Sequence, residues 1–187
     1  MKFLIAGLGN VGPEYELTRH NVGFMAVDHL AQQCTLTFSL DRHAYVTEYK
    51  YKGKNITLIK PTTYMNLSGK AVAYWMHSLN IPIQNILIIT DDLNLPFGTI
   101  RLRAQGSSGG QNGLNHINEV LNSQNYARLR IGIGSNFHKG RQSDYVLSRF
   151  TQDEFANLEP LLQKSGEAIL SFCTEGINVA MNKYNTK

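Results

Sequence analysis

Read for chemistry, the 187-residue sequence offers one histidine, one acid and several amides where predicted strands end or helices begin. His20 stands in "ELTRHNVGF", just ahead of a predicted helix, where the positive end of the helix dipole favours the neutral imidazole that a base requires. Asp91 follows the apolar run "NILIIT", Asn10 follows "KFLIAGLG", Asn66 follows "NITLIKPTTYM", and Asn112 lies in the glycine-rich "QGSSGGQNG". An acid orients an imidazole, the imidazole takes a proton from water, and amides polarise or position a carbonyl. Each residue also has a plainer use. A histidine before a helix is usually structural or solvated, and Asn66 and Asn112 would serve as helix caps.

Three other motifs offer competing chemistry. Gly7-Leu8-Gly9-Asn10-Val11-Gly12 fits the dinucleotide fingerprint G-x-G-x-x-G after a strand. That fingerprint needs its helix to start within the glycines, so that helix N–H groups hold the pyrophosphate. Here Pro13, Glu14 and Tyr15 follow instead, two glutamates crowd the position of the phosphates, and no acid ends a second strand at the required distance. The glycines read better as a tight turn that brings backbone to a pocket. "GSSGG" fits G-x-S-x-G with Ser108 as nucleophile, but no acid-then-histidine pair follows in a usable place. Asp91 and Asp92 would point to opposite faces of a strand, and the six histidines show no metal-ligand spacing.

The elements that must position the amides, acid and histidine alternate along the chain. Strands are predicted at "KFLIAGLG", "TLTFSL", "AYVTEYKY", "NITLIK", "NILIIT", "TIRLRA" and "RLRIGIG". Helices are predicted at "NVGFMAVDHLAQQ" with Asn21 as N-cap, at "LSGKAVAYWMHSLN" and at "LNHINEVL". A helical tail begins behind the capping box Thr151 to Glu154, with Pro160 and Gly166 as breaks or kinks. This order predicts an α/β fold: a single three-layer domain over 1–187, with a central mixed, mostly parallel twisted sheet flanked by helices. In such sheets the functional crevice lies beyond the carboxyl ends of the strands, which is where the amides and the acid fall.

Composition is that of an ordinary globular chain, 42% hydrophobic and 17% charged, with a net charge of +4 that favours a polyanionic partner. Cys34 and Cys173 lie far apart, as expected of reduced thiols in the cytoplasm. No apolar run approaches the ~20 residues of a membrane span. "RLRIGIGSNFHKGRQ" supplies Arg128, Arg130, His138, Lys139 and Arg141 without an acid, and Arg128 and Arg130 share a strand face. Such a stretch is either a phosphate-binding surface or a solvated basic edge.

Four blocks in order, "GLGNVGPEYELTRHNVGF", "KPTTYMNLSGKAV", "DDLNLPFGTIRLR" and "GSSGGQNGL", with "RLRIGIG" after them, resemble the signatures of bacterial peptidyl-tRNA hydrolases over about residues 3–150. The resemblance implies a monomeric cytoplasmic enzyme without cofactor or metal. Its reaction is cleavage of the ester between a peptide's C-terminus and the 3′-terminal ribose of tRNA. It implies His20 as base, Asp91 as its partner, and Asn10 and Asn66 as residues that hold the peptide and position its carbonyl. Asn112 is implied at the water or substrate end, and Tyr15 and Met65 along the cleft. Arg103 and Arg130 are implied at the tRNA 5′ phosphate, with Lys139 beside them, so that the acceptor stem and 3′ end are the parts bound. Val11, Gln111 and Asn94 depart from the common proline, histidine and aspartate. The alternative class is a non-catalytic RNA-binding protein on the same fold.

Overall fold

Every position of β1 (Lys2–Gly7) except the first is buried, and a strand with no polar side needs cover on both faces. It has both. Phe3 and Ile5 pack with α1 (Val22–Gln33) and α6 (Leu158–Glu175), while Leu4 and Ala6 pack with α2 (Ser68–Ser78) and α3 (Asn112–Leu121). The structure, a computed structural model, describes residues 1–185. One seven-stranded sheet runs in the order β2 (Ser39–Asp41), β3 (Ala44–Tyr51), β4 (Lys54–Pro61), β1, β5 (Ile86–Asp92), β7 (Ala127–Gly132), β6 (Ile100–Arg103). The central strands β4, β1, β5 and β7 are parallel; β2, β3 and β6 add antiparallel edges. This is the expected single three-layer α/β domain.

Strand order reverses at β1, which pairs with β4 on one side and β5 on the other. A crevice therefore opens past the ends of these three strands. Helix α1 is drawn close to the sheet there. A Cβ on Gly7 would lie 2.3 Å from the Gly23 carbonyl oxygen, and one on Gly23 would lie 2.5 Å from the Ile89 oxygen. Only paired glycines permit that approach, and it sets the height at which the turn before α1 meets the strand ends.

Three local expectations are corrected. The strand expected at "TLTFSL" exists only at Ser39–Asp41; Leu36 and Phe38 pack against the core from a loop instead. Asn21 flanks α1 but makes no capping bond, because its side chain is engaged elsewhere. Gly166 breaks nothing: α6 runs unbroken through it, and Gly166 packs against Leu30. The break expected of Pro160 is present: the tail is interrupted at Asn157, between α6 and the short α5 (Gln152–Ala156), because Pro160 has no N–H for the Ala156 carbonyl and is tolerated only in the first turn of α6. The capping box Thr151–Glu154 of α5 is present as expected.

Candidate active site

The glycine turn after β1 leads into a 3-10 turn at Pro13–Tyr15, with Gly12 at φ 125°. No helix begins among the glycines, so the dinucleotide reading fails on geometry. A second 3-10 turn, Arg19–Asn21, carries His20 into α1. Its Nδ1 lies 2.9 Å from Asp91 Oδ2, although 71 residues separate the two. Asp91 is buried and His20 half-buried. The other carboxylate oxygen accepts from the Gln111 side-chain amide at 3.1 Å and from Thr90 Oγ1 at 3.2 Å. With Asp91 holding Nδ1–H, Nε2 keeps its lone pair for a proton.

Asn10 is fixed on three sides. Its backbone N–H donates to Asn21 Oδ1 at 2.8 Å, its carbonyl accepts from Asn21 Nδ2 at 2.9 Å, and its side-chain Oδ1 accepts from the Met65 N–H at 2.7 Å. The Met65 bond consumes the acceptor end of the Asn10 amide and leaves Nδ2 as a donor towards the cleft. Asn21 thus clamps Asn10 rather than capping its helix.

Two cavities meet at His20. One, of about 330 Å³, is lined by Asn10, Tyr15, His20, Met65, Asn66 and Asn112, with Tyr64, Ser143, Val146 and Leu147 completing it. It brings together all the residues expected to hold substrate. Met65 is buried, while Asn66 and Asn112 are exposed, the latter as the first residue of α3. Neither asparagine caps a helix here: Gln111 caps α3 by accepting from the Leu114 N–H at 2.8 Å. The other cavity, about 180 Å³, lies beneath the glycine loop and is bordered by Asp91, Asp92, Ser108, Gln111 and Arg130. Ser108 Oγ accepts from the Gly110 N–H, a bond that closes the loop. Asp91 and Asp92 take separate partners, as strand alternation requires: Asp92 lies 3.7 Å from Arg130 and accepts from the Asn94 N–H.

The sequence pattern of the family described as "Peptidyl-tRNA hydrolase" matches residues 4–187. The chain belongs to the peptidyl-tRNA hydrolase family. It is 57% identical to a peptidyl-tRNA hydrolase of Cytophaga hutchinsonii and 52% identical to one of Bacteroides fragilis, each over the full length of both chains. The crystal structure of the peptidyl-tRNA hydrolase from Acinetobacter baumannii superimposes with a TM-score of 0.91 at 35% identity, covering 98% of this chain and 95% of that one. The function is that of the family, hydrolysis of the ester in peptidyl-tRNA.

For a peptidyl-tRNA hydrolase, the basic residues divide unexpectedly. Arg103 and Lys139 are exposed. Arg130 borders the smaller cavity and donates to the Ser107 carbonyl at 2.6 Å. Arg128 is fully buried: its guanidinium lies 4.3 Å from the Tyr126 ring centre and donates to the carbonyls of Ser107, Gln124 and Tyr126. Burial pushes its pKa down, Arg130 pushes it further the same way, and Tyr126 opposes both. Arg128 therefore anchors the glycine loop and does not present a charge to RNA. Arg141 pairs with Asp144 at 2.9 Å, an acid lying just beyond the basic stretch.

Sequence reasoning missed the site roles of Gln111, Asn21 and Arg19. Asn21, an amide directly after the candidate base, was the one available signal. Gln111 and Arg19 act through partners distant in the chain.

Proposed function

We propose that this hydrolase cleaves its substrate with a water activated by His20. The observation that carries the reading is the 2.9 Å contact between His20 Nδ1 and Asp91, with the Asn10 amide facing the same cleft. Water enters between His20 Nε2 and the ester carbonyl. Its oxygen bonds to the carbonyl carbon as its proton passes to Nε2, and Asn10 Nδ2 donates to the oxygen that gains charge. Collapse breaks the bond to the 3′-terminal ribose oxygen, which takes the proton back from the imidazole. Free tRNA and a peptide carboxylate leave.

Asn66 and Asn112 satisfy the amide groups of the last peptide unit, between Tyr15 and Met65. A free amino acid ester would bring an ammonium to these neutral amides and lose its hydration, which disfavours aminoacyl-tRNA. Arg103, Arg130 and Lys139 are assigned to the phosphates of the acceptor stem, an assignment that rests on their charge and on Arg130 bordering the smaller cavity. The route asks nothing of a metal or cofactor, and the enzyme works as a cytoplasmic monomer. Among the described residues, no helix is long and apolar enough to cross a membrane.

The test is release of the acyl-amino acid from an N-acyl-aminoacyl-tRNA, with aminoacyl-tRNA, a chelator and His20→Ala in parallel. Cleavage of the acylated ester alone, insensitive to chelator and about 10²–10⁴-fold slower in His20→Ala, is the expected result. Undiminished turnover in His20→Ala would remove His20 as base. Salt-sensitive tRNA binding without any cleavage would favour a protein that has kept RNA and lost the chemistry.

A further inference from the structure

One wall of the substrate cleft comes from far along the chain. Ser143 and Val146 of α4 (Gln142–Val146), with Leu147 after it, face His20 across the opening. A five-residue helix with no buried residue does not hold itself in place, since so short a helix is unstable alone. Tyr145 is tied to β7's end by a 2.6 Å bond from its hydroxyl to the Ile133 carbonyl. Its ring also packs on Phe137, with ring centres 5.0 Å apart, and a further set of ties converges on Arg19, the residue before His20.

Arg19 is buried. Its Nη1 donates to Ser148 Oγ and, at 2.7 Å, to the Arg149 carbonyl; its Nη2 donates to Glu154 Oε1 at 2.7 Å. The guanidinium lies 4.3 Å from the Tyr145 ring centre. The backbone continues the connection: the Arg19 N–H donates to the Ser148 carbonyl, and Thr18 bridges to Arg149. Glu154 Oε1 also accepts from the Thr151 N–H, so the capping box of α5 is locked into the same cluster.

We propose that Arg19 is a positioning residue of this hydrolase: its guanidinium seats the α4 segment as a wall of the acyl-binding cleft beside the base. The inference rests on the reading of His20 given above. Planarity and the fork of donors are what the site uses. Lysine could reach either Glu154 or the Arg149 carbonyl, but could not serve both and stack on Tyr145. A mere staple of the fold would have the same contacts, yet it would govern only how much enzyme is folded.

Steady-state cleavage of N-acyl-aminoacyl-tRNA, expressed per folded molecule, separates the two roles. In Arg19→Lys, KM should rise about tenfold and kcat fall about threefold, since small displacements of a cleft wall or base carry large rate penalties. Glu154→Gln, which keeps the shape and removes the charge, should raise KM about threefold in the same direction. KM within twofold of the parent in both variants, with the loss confined to melting temperature, would overturn the proposal. Should Arg19→Lys fail to fold, Glu154→Gln decides by the same criterion. His20→Ala, run alongside, reads in kcat: an unchanged kcat would sink the base assignment, while the KM criterion still decides Arg19.

Discussion

Asp91 holds the imidazole of His20, and Gln111 is the least obvious of its partners. Gln111 uses both ends of one amide, accepting from the α3 N-terminus while donating to Asp91 and to the Met65 sulfur. Gln111→Leu removes both functions, with an expected stability loss of about 1 kcal/mol from the missing cap. Turnover should fall roughly tenfold as Asp91 loses a fixed donor. Gln111→Glu keeps the cap but sets a second carboxylate against Asp91. More negative charge beside the imidazole stabilises its protonated form, so the acid limb of the pH–rate profile should move to higher pH. Chemical denaturation and a pH series of kcat read the two effects apart. As it stands, a neutral amide performs this bridging without titrating.

At the scale of elements, the glycine loop before α3 is shaped from below by a strand. Arg128 of β7 donates to the Ser107 carbonyl within that loop and to the Gln124 carbonyl beyond α3. Arg128→Met should cost about 1–3 kcal/mol, since these carbonyls lose their donor, and should leave the salt dependence of tRNA binding unchanged. Arg103→Ala should do the reverse, with stability held and the slope of log K against log salt reduced by about 1. Titrations of binding at several salt concentrations, with thermal melts, distinguish the pair. This division was not legible in the sequence, where Arg128 and Arg130 look alike because strand alternation assigns them one face. Alternation says nothing about Ser107, Gln124 and Tyr126, whose carbonyls and ring enclose Arg128. The amides and acid at strand ends were legible, because a parallel sheet must place them beside its crevice. Residue type and position before a helix suit Asn21 to a cap, and nothing in the sequence signals its bonds to Asn10. The geometry that turns it back to Asn10 comes from the 3-10 turn and the close seating of α1 on the sheet. Pro160 interrupts the tail one turn ahead of itself, because the carbonyl it leaves without a donor belongs to Ala156.

Across the whole molecule, the two cysteines report on different depths. Cys173 is buried in α6, and burial pushes its thiol up, with Lys54 opposing weakly; Cys34 is half-buried. In the folded protein Cys173 thus keeps its proton at pH values where the unfolded chain has lost it. Its contribution to stability is complete below the ordinary thiol value of 9.0 and declines as pH rises past it. Alkylation followed by mass spectrometry should label Cys34 first and Cys173 only on unfolding. Contacts across the whole chain also build the cleft: Asn10 reaches Met65, His20 reaches Asp91, and Arg19 reaches Glu154. That last contact spans 135 residues, and it has a consequence during synthesis. Each copy of this enzyme, while being made, is itself a peptide esterified to tRNA. A copy abandoned before Glu154 already contains His20, Asp91 and Asn10 but lacks the anchor that seats the cleft wall. Such a fragment also lacks α6, which covers β1 and α1, so we expect its release to fall to a copy that was finished earlier.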